Sequence, residues 1–173
     1  MTLPPVGSIH VLTHAKELQH PTNTAKLAFA IAKEFNIPLF QHVWHRTERE
    51  QLATLFSADF TLVYPRSDAT QLDASLHSAS PYLPWTTTTR FVLIDATWQQ
   101  AQKMMNQSPY LQRLATLQLN PCHASSFIRR RNQRQGAWCT AEVIQFLWQS
   151  QGHQAAAAAL AEHFRQFNGH AHG

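Results

Sequence analysis

Residues 90–98 read Arg-Phe-Val-Leu-Ile-Asp-Ala-Thr-Trp and contain the clearest strand in the chain. Positions 91–94 are all apolar, which is expected of a strand that is covered on both faces in a parallel sheet. Asp95-Ala96-Thr97 forms the predicted turn out of this strand, and either Asp95 or Thr97 can cap a helix that starts at Trp98. A buried strand that leads directly into a helix is the repeating unit of α/β proteins.

Strands and helices alternate along the rest of the chain. Apolar runs and period-two patterns predict further strands over 8–12, 37–44, 60–64 and 114–119. Helical spacing predicts helices over 24–35, 48–56, 98–105, 141–148 and 154–167, and a further helix within 67–80. Asn23 is predicted to cap the first helix, and Asn36 with Pro38 to end it. This order of elements predicts an α/β fold with a mostly parallel sheet and helices on both faces.

Length and composition narrow the class of protein. The chain has 173 residues, of which 44% are hydrophobic and 14% charged, so an intrinsically disordered chain and a coiled coil are excluded. We predict a single domain over 1–168 and a flexible tail over 169–173. No apolar run is long enough to span a bilayer and no export signal opens the sequence, so we expect a cytoplasmic protein without a membrane partner.

The metal-binding residue types form no recognisable site. Cys122 and Cys139 are too few and too far apart for a disulfide framework or a four-cysteine zinc site. The last histidines, His163, His170 and His172, are assigned to the mobile tail. The sequence also has no Gly-x-Gly-x-x-Gly, P-loop, Gly-x-Ser-x-Gly or His-Glu-x-x-His pattern. Dinucleotide, nucleoside triphosphate, esterase and zinc-protease functions therefore lack support.

The formal net charge of +4 is concentrated in one segment. Residues 1–95 and residues 142–173 each carry a net charge of −1, whereas residues 96–141 carry six basic side chains and no acidic one. The six are Lys103, Arg113, Arg129, Arg130, Arg131 and Arg134. The last four lie in a polar loop, the arginine loop, predicted over 120–136 with one short strand near 127–128. Such a cluster is typical of a site for a polyanion, and a solvated surface loop is the alternative.

Polar clusters lie where ligands bind in open parallel sheets, at strand ends and helix starts. They are 95–98, 138–142, 14–17 together with Asn23-Thr24, and the arginine loop with Ser125, Ser126 and Phe127. A partly desolvated carboxylate at Asp95 can accept a hydrogen bond or a proton from a substrate hydroxyl or an acidic N–H. Alternatively, it only caps a helix. Thr140 and Glu142 form either a local cap or part of a ligand site. The residues alone predict an α/β domain with a basic loop near a candidate ligand cleft.

Motifs that occur in the same order resemble those of the DTW-domain family. Leu93-Ile94-Asp95-Ala96-Thr97-Trp98, followed by Ala101, Met104 and Ser108-Pro109, is similar to the Asp-x-Thr-Trp motif of that family. The other matches are His14-Ala15-Lys16-Glu17 with residues 21–27, Val63-Tyr64-Pro65, and Arg129 with Cys139-Thr140-Ala141-Glu142-Val143. The resemblance covers roughly residues 8–150.

The resemblance implies a SPOUT-like knotted α/β fold and a tRNA-uridine aminocarboxypropyltransferase. Such an enzyme uses S-adenosylmethionine as co-substrate and no metal, and transfers its 3-amino-3-carboxypropyl group to N3 of a uridine in tRNA or another structured RNA. Asp95 is then the predicted base or the residue that aligns the base edge, and Glu142 is the second candidate. We expect these residues to line the donor pocket: Tyr64, Pro65, Thr97, Trp98, Ile128, Arg129 and Thr140.

The remaining assignments concern RNA and the alternatives. RNA contacts are predicted for Lys103, Arg130, Arg131 and Arg134, and the family motifs also include His14, Glu17, Asn23 and Thr24. Arg129 can instead hold the donor carboxylate through a bidentate contact. The sequence lacks the N-terminal cysteine cluster of many members, which leaves more of the RNA binding to the arginine loop. A SPOUT-like RNA methyltransferase and a non-catalytic RNA-binding module are the alternatives, and both a monomer and a homodimer are compatible with the resemblance.

Overall fold

The computed structural model of the protein describes residues 4–20, 23–45, 50–56, 59–76, 82–122 and 138–169. The strands are β1 (Ile9–His14), β2 (Leu39–Trp44), β3 (Phe60–Val63), β4 (Thr70–Ala74), β5 (Arg90–Asp95) and β6 (Ala115–Pro121). The α-helices are α1 (Ala25–Phe35), α2 (Glu50–Leu55), α3 (Trp98–Asn106), α4 (Pro109–Gln112), α5 (Thr140–Ser150) and α6 (Gln154–Gly169). Two short 3₁₀ segments cover Ala15–Glu17 and Pro84–Thr87.

The strands form one parallel sheet in the order β2-β1-β5-β3-β6-β4. The apolar strand β5 lies inside the sheet between β1 and β3, as its sequence predicts. Because every pair is parallel, all carboxyl ends lie along one edge of the sheet. In this register Thr13 of β1 lies opposite Asp95 of β5. The predicted α/β fold with a parallel sheet is confirmed.

Helices cover both faces of the sheet, as predicted. On β5, Phe91 and Leu93 point to the face covered by α1, α5 and α6, whereas Val92 points to the face covered by α2, α3 and α4. The alternation follows from the period of two along a strand. Phe91 and Val92 are fully buried, and each such side chain stabilises the fold by about 1.5–3 kcal/mol.

The helix predicted within 67–80 is wrong, because Thr70–Ala74 forms the edge strand β4. Leu72 and Ala74 face the core while Asp73 between them is exposed, so the period is two. Gln71 exchanges side-chain hydrogen bonds with Gln118 and Asn120 of the neighbouring strand β6. A short edge strand with mostly polar residues carries a weak apolar pattern, which explains the error.

The ends of the helices differ from the predictions in detail. The N-cap position of α1 is Thr24, and the predicted cap Asn23 instead accepts the Ala25 N–H at 2.8 Å through its side-chain oxygen. Asn36 ends α1, as predicted, and the structure shows it in the left-handed conformation at φ 58°. At the other end of the chain, α6 continues to Gly169 and includes His163, which was wrongly assigned to the tail.

The connection between β6 and α5 spans residues 122–139, of which 123–137 lie outside the described residues. The predicted knot, the short strand near 127–128 and the arrangement of the arginine loop therefore stay predictions. Residues 170–173 of the predicted tail also lie outside the described residues. In the part of the chain that the structure describes, no helix has the length and apolar character needed to cross a membrane.

Candidate active site

A buried carboxylate marks the carboxyl end of β5. Asp95 is 3% exposed and accepts hydrogen bonds from three side chains of the described residues. Its Oδ2 accepts from Thr13 Oγ1 at 3.3 Å and from Asn23 Nδ2 at 3.0 Å, and its Oδ1 accepts from Thr140 Oγ1 at 2.9 Å. The donors come from β1, from the start of α1 and from the first turn of α5. We call these four residues the Asp95 cluster.

Asn23 is fixed from several sides within this cluster. Besides donating to Asp95, its Nδ2 donates to the Glu17 carbonyl at 2.9 Å, and its Oδ1 accepts the N–H of Ala25. Its side chain is therefore tied both to the loop after β1 and to the first turn of α1. This arrangement holds the loop against the carboxylate.

Thr24 links the starts of two helices. Its hydroxyl oxygen accepts the N–H of Ala141 at 3.2 Å, so a residue that precedes α1 satisfies a free amide of α5. Both helices therefore begin beside Asp95, and the positive ends of their dipoles favour a negative charge there. The carboxylate joins β1, β5, α1 and α5 at one point.

Cys139 and Glu142 form the local cap of α5. Cys139 is the N-cap residue, and Glu142 Oε1 accepts its N–H at 3.1 Å. Burial raises the pKa of the Cys139 thiol, and the charge of Glu142 raises it further, so the thiol is protonated at neutral pH. Glu142 thus contributes the predicted cap, whereas Thr140, predicted as a capping residue, donates its hydroxyl hydrogen to Asp95 instead.

A cleft of about 310 Å³ lies at the carboxyl edge of the sheet, next to the Asp95 cluster. Tyr64 and Pro65 after β3 and Thr140 at the start of α5 line it. All three are expected at a donor pocket from the sequence, and that role stays a prediction. The other lining residues are Val63, Leu93, Ile94, Gln118, Leu119, Asn120, Pro121, Trp138 and Val143. The volume is at the lower end of the range for small-molecule sites, roughly 300–1,000 Å³. Thr140 belongs to both the cluster and the cleft.

A family model described as the DTW domain matches residues 2–172 of the chain. The chain belongs to the DTW domain family. In this DTW domain the Asp-x-Thr-Trp motif occupies the turn from β5 to α3, and its aspartate is the centre of the Asp95 cluster.

A curated relative shares part of this DTW domain. The tRNA-uridine aminocarboxypropyltransferase 2 of Drosophila melanogaster is 35% identical over 99 residues, which are 57% of this chain and 37% of that protein. The match therefore spans little more than a third of the relative's length. No solved structure gives a significant match to the chain.

The other residues of the Asp-x-Thr-Trp motif lie beside the cleft rather than in its lining. Thr97 caps α3: its hydroxyl accepts the Gln100 N–H at 3.2 Å, and the Gln100 side chain accepts the Thr97 N–H at 2.9 Å. Trp98 is 43% exposed at the first position of α3. Lys103, predicted to contact RNA, is exposed on the same helix. Thr97, Trp98 and Lys103 are not among the described residues that line the cleft.

The motif after β1 lies beneath the Asp95 cluster. His14 is buried, packs on Trp44 with ring centroids 5.4 Å apart, and accepts the Lys16 N–H at its Nδ1. Burial lowers the pKa of His14, and the nearby charge of Lys16 lowers it further. Glu17 is 2% exposed, and its carbonyl accepts from Asn23. These residues support the loop that carries Asn23.

Ile128, Arg129, Arg130, Arg131 and Arg134 lie outside the described residues, so their predicted contacts stay predictions. The described part of the DTW domain holds no group of three or more His, Cys, Asp or Glu side chains placed to bind a metal ion.

Some residues of the site were missed by sequence reasoning. Thr13 lies just beyond the strand predicted over 8–12, but it is the last but one residue of β1 and binds Asp95. Gln118 and Asn120 line the cleft from the end of β6. The rule that ligands bind at the carboxyl ends of parallel strands points to the strand ends where all three lie, but it does not reveal which strands are neighbours. Trp138 also lines the cleft; the sequence predicts it in the cluster 138–142 but not among the donor-pocket residues.

Proposed function

We propose that this DTW domain transfers the 3-amino-3-carboxypropyl group of S-adenosylmethionine to N3 of a uridine in tRNA. The observation that carries the proposal is the cleft that shares Thr140 with the buried Asp95 cluster. The activity for which the Drosophila relative is named supports the same reaction. With tRNA as acceptor, we expect the protein to act in the cytoplasm.

The reaction is a displacement at carbon. The uridine N3 forms a bond to the methylene carbon of the aminocarboxypropyl chain, and the bond from that carbon to the sulfonium sulfur breaks. The electron pair of the broken bond stays on sulfur, which leaves as neutral methylthioadenosine, and the N3 proton passes to a base. The donor is already reactive when it is bound, so the protein has to orient the two substrates and accept the proton.

The cleft suits the chemistry of the donor. Val63, Leu93 and Val143 supply apolar walls, and Tyr64 and Trp138 supply aromatic surface for the adenine. Polar groups come from Gln118, Asn120 and Thr140, which offer hydrogen bonds to the ribose and the amino acid end of the donor. Pro65, Ile128 and Arg129 are proposed as further donor contacts, with Thr97 and Trp98 at the rim.

Asp95 acts on the cleft through Thr140. The carboxylate accepts hydrogen bonds from three described side chains and is not among the described residues that line the cleft. This geometry favours the aligning role over direct proton abstraction. Because Thr140 donates to Asp95, its oxygen keeps its lone pairs for an acceptor hydrogen in the cleft, and the proton can pass along this bond to Asp95. Glu142 supports the same site as the cap of α5.

The RNA partner is proposed from charge. Lys103 and the cluster Arg130, Arg131 and Arg134 belong to the only segment with a net charge of +6. Arginine and lysine side chains bind phosphates by releasing counterions, so RNA affinity should fall steeply as the salt concentration rises. Affinity that does not change between low and high salt would contradict this assignment.

The test uses two preparations of S-adenosylmethionine, one labelled in the aminocarboxypropyl chain and one in the methyl group. Each is incubated with the purified protein and with tRNA from cells that lack its gene. Only the label in the aminocarboxypropyl chain should remain on the RNA, and the methyl label should not. Label from the methyl group alone would mean an RNA methyltransferase, and no retained label with intact RNA binding would mean a non-catalytic RNA-binding module.

A further inference from the structure

A second concavity of about 540 Å³ lies next to the cleft, on the face of the sheet covered by α3 and α4. Its lining consists of Tyr64, Arg66, Gln102, Met105, Asn106 and Gln112. We call it the α3 groove. Tyr64 lines the cleft as well, so one side chain separates the two spaces.

The polar lining of the α3 groove suits a nucleotide. Gln102, Asn106 and Gln112 carry amides, which both donate and accept and therefore match the edges of bases. Arg66 offers a charge for phosphate. In the described part of the chain no acidic side chain lines the groove. Arg66 pairs with the exposed Asp68 at 2.9 Å, so a phosphate has to share or displace this ion pair.

The exposed surface of α3 extends the groove toward the site. Trp98, Gln102 and Asn106 follow one another at intervals of four residues, so they form one row along the helix. All three are exposed, and Trp98 at the start of the row is closest in sequence to Asp95. An exposed tryptophan beside amides is the arrangement on which unpaired bases stack.

The floor of the groove is fixed before any ligand binds. Arg66 Nη1 donates to the Gln112 carbonyl at 3.0 Å, and Gln112 Nε2 donates to the Met105 carbonyl at 2.7 Å. These bonds connect the loop after β3 with α3 and α4. A preformed groove loses little entropy on binding, which favours recognition of one nucleotide segment.

We propose that the α3 groove binds the acceptor strand of the RNA in an unpaired conformation. A base stacks on Trp98, Gln102 and Asn106 contact base edges, and Arg66 contacts a phosphate. Tyr64, shared by both spaces, is where the acceptor uridine meets the cleft. The inference rests on the proposed function, because it names how the acceptor reaches the site.

The test compares a Gln102→Ala/Asn106→Ala double variant with the wild-type protein. A matched control is Gln166→Ala, which removes an exposed amide from α6 on the opposite face of the sheet. The substrates are S-adenosylmethionine and tRNA from cells that lack the gene. The double variant should raise the KM for tRNA roughly tenfold, as expected for lost base contacts, with little change in the affinity for S-adenosylmethionine measured by calorimetry. The control should change neither.

Trp98 gives an independent test of stacking. Trp98→Ala should weaken binding of the same tRNA roughly tenfold, and Trp98→Phe should restore most of the loss because it keeps an aromatic face. Equal loss in both variants would contradict stacking at this position.

The outcomes for the groove and for the reaction are separate. If the wild-type protein transfers the group and the double variant keeps its KM for tRNA within about twofold of the control, the groove inference is overturned. If the wild-type protein transfers nothing but the double variant binds the tRNA more weakly than the control, the proposed reaction fails and the groove stands as an RNA site.

Discussion

Two buried polar networks lie on neighbouring strands of the sheet, at opposite ends. The Asp95 cluster lies at the carboxyl end of β5, and a histidine network lies near the amino end of β1. In the second network His10 is 1% exposed, its Nε2 lies 3.0 Å from Ser8 Oγ, and its Nδ1 lies 2.9 Å from His42 Nε2. We call Ser8, His10 and His42 the His10 network.

The surroundings of the two networks differ. Phe40 stacks on His10 with ring centroids 4.9 Å apart, and Phe60 packs edge-on at 5.0 Å, so aromatic rings close the His10 network. The Asp95 cluster instead shares Thr140 with an open cleft. Since both networks are hydrogen-bonded, burial and satisfaction alone do not mark a functional site. A functional site is marked by a position at the carboxyl edge of the sheet and by access to a cleft. We therefore expect the Asp95 cluster to affect activity and the His10 network to affect stability.

The largest expected effect is on activity. Asp95→Asn keeps the size of the side chain but places an amide among the hydroxyl and amide donors of the cluster. Transfer of the aminocarboxypropyl group should fall by roughly 10²–10⁴-fold, the range for loss of a positioned acid–base group. The control is Asp73→Asn on the exposed edge strand β4. Full transfer by Asp95→Asn, measured on the same tRNA, would remove Asp95 from the mechanism.

The second prediction concerns the pH dependence of stability. Burial lowers the pKa of His10 to about 4 in the folded protein, with smaller contributions from His42 and Arg90. The unfolded chain binds this proton at its ordinary pKa of about 6.5, so the contribution of His10 to stability is present above that pH. It should be lost as the pH falls from 6.5 toward 4, by about 2–3 kcal/mol.

The matching measurement is the free energy of unfolding from urea titrations between pH 4 and 7.5. His10→Gln should flatten part of this pH dependence, whereas His163→Gln, exposed on α6, should leave it unchanged. Identical pH profiles for His10→Gln and the wild-type protein would show that His10 is not the group responsible.

A smaller effect on the rate of transfer is expected for Thr140, which links the Asp95 cluster to the cleft. Thr140→Val removes the hydroxyl that donates to Asp95 at 2.9 Å and leaves a side chain of similar shape. The rate of transfer should fall roughly tenfold or more, in line with a lost hydrogen bond to a charged group. The loss is smaller than for Asp95→Asn because the carboxylate stays in place and a water molecule can bridge it to the acceptor, and Thr140→Ser should restore most of the rate. A Thr140→Ser variant as slow as Thr140→Val would indicate that the methyl group of Thr140 matters and not its hydroxyl.

The smallest effect is expected for Cys139. Because burial raises its pKa, the thiol should stay protonated and react slowly with an alkylating reagent at pH 8, whereas the exposed Cys122 should react first. Cys139→Ser keeps a capping side chain and should retain transfer within about twofold. Peptide mass spectrometry after brief labelling gives the order of reaction, and rapid labelling of Cys139 would contradict the raised pKa of its thiol.

Much of the fold could be predicted, because the strongest signals are local. The apolar run of β5 and the helical pattern of α1 report directly on burial, and both elements occur where the sequence predicts them. The edge strand β4 was missed because its exposed side carries polar residues. The cap of α5 was assigned to Thr140 because sequence order does not reveal that a carboxylate 45 residues away binds its hydroxyl.

Local sequence patterns also limit how much of the candidate site can be predicted. Asp95, Tyr64 and Thr140 were found because they belong to motifs. Thr13 was missed because its contact depends on β1 lying beside β5, a pairing between residues 82 positions apart that no local pattern encodes. Trp98 was predicted in the donor pocket because of its motif, and the structure places it on the exposed surface of α3.

The most direct test of the proposed reaction is nucleoside mass spectrometry of tRNA from cells that lack the gene, complemented with either the wild-type or the Asp95→Asn protein. Wild-type complementation should restore a uridine whose mass is increased by one aminocarboxypropyl group, and Asp95→Asn should not. Restoration of a methylated uridine instead, or no difference in modified uridines between cells with and without the gene, would contradict aminocarboxypropyl transfer.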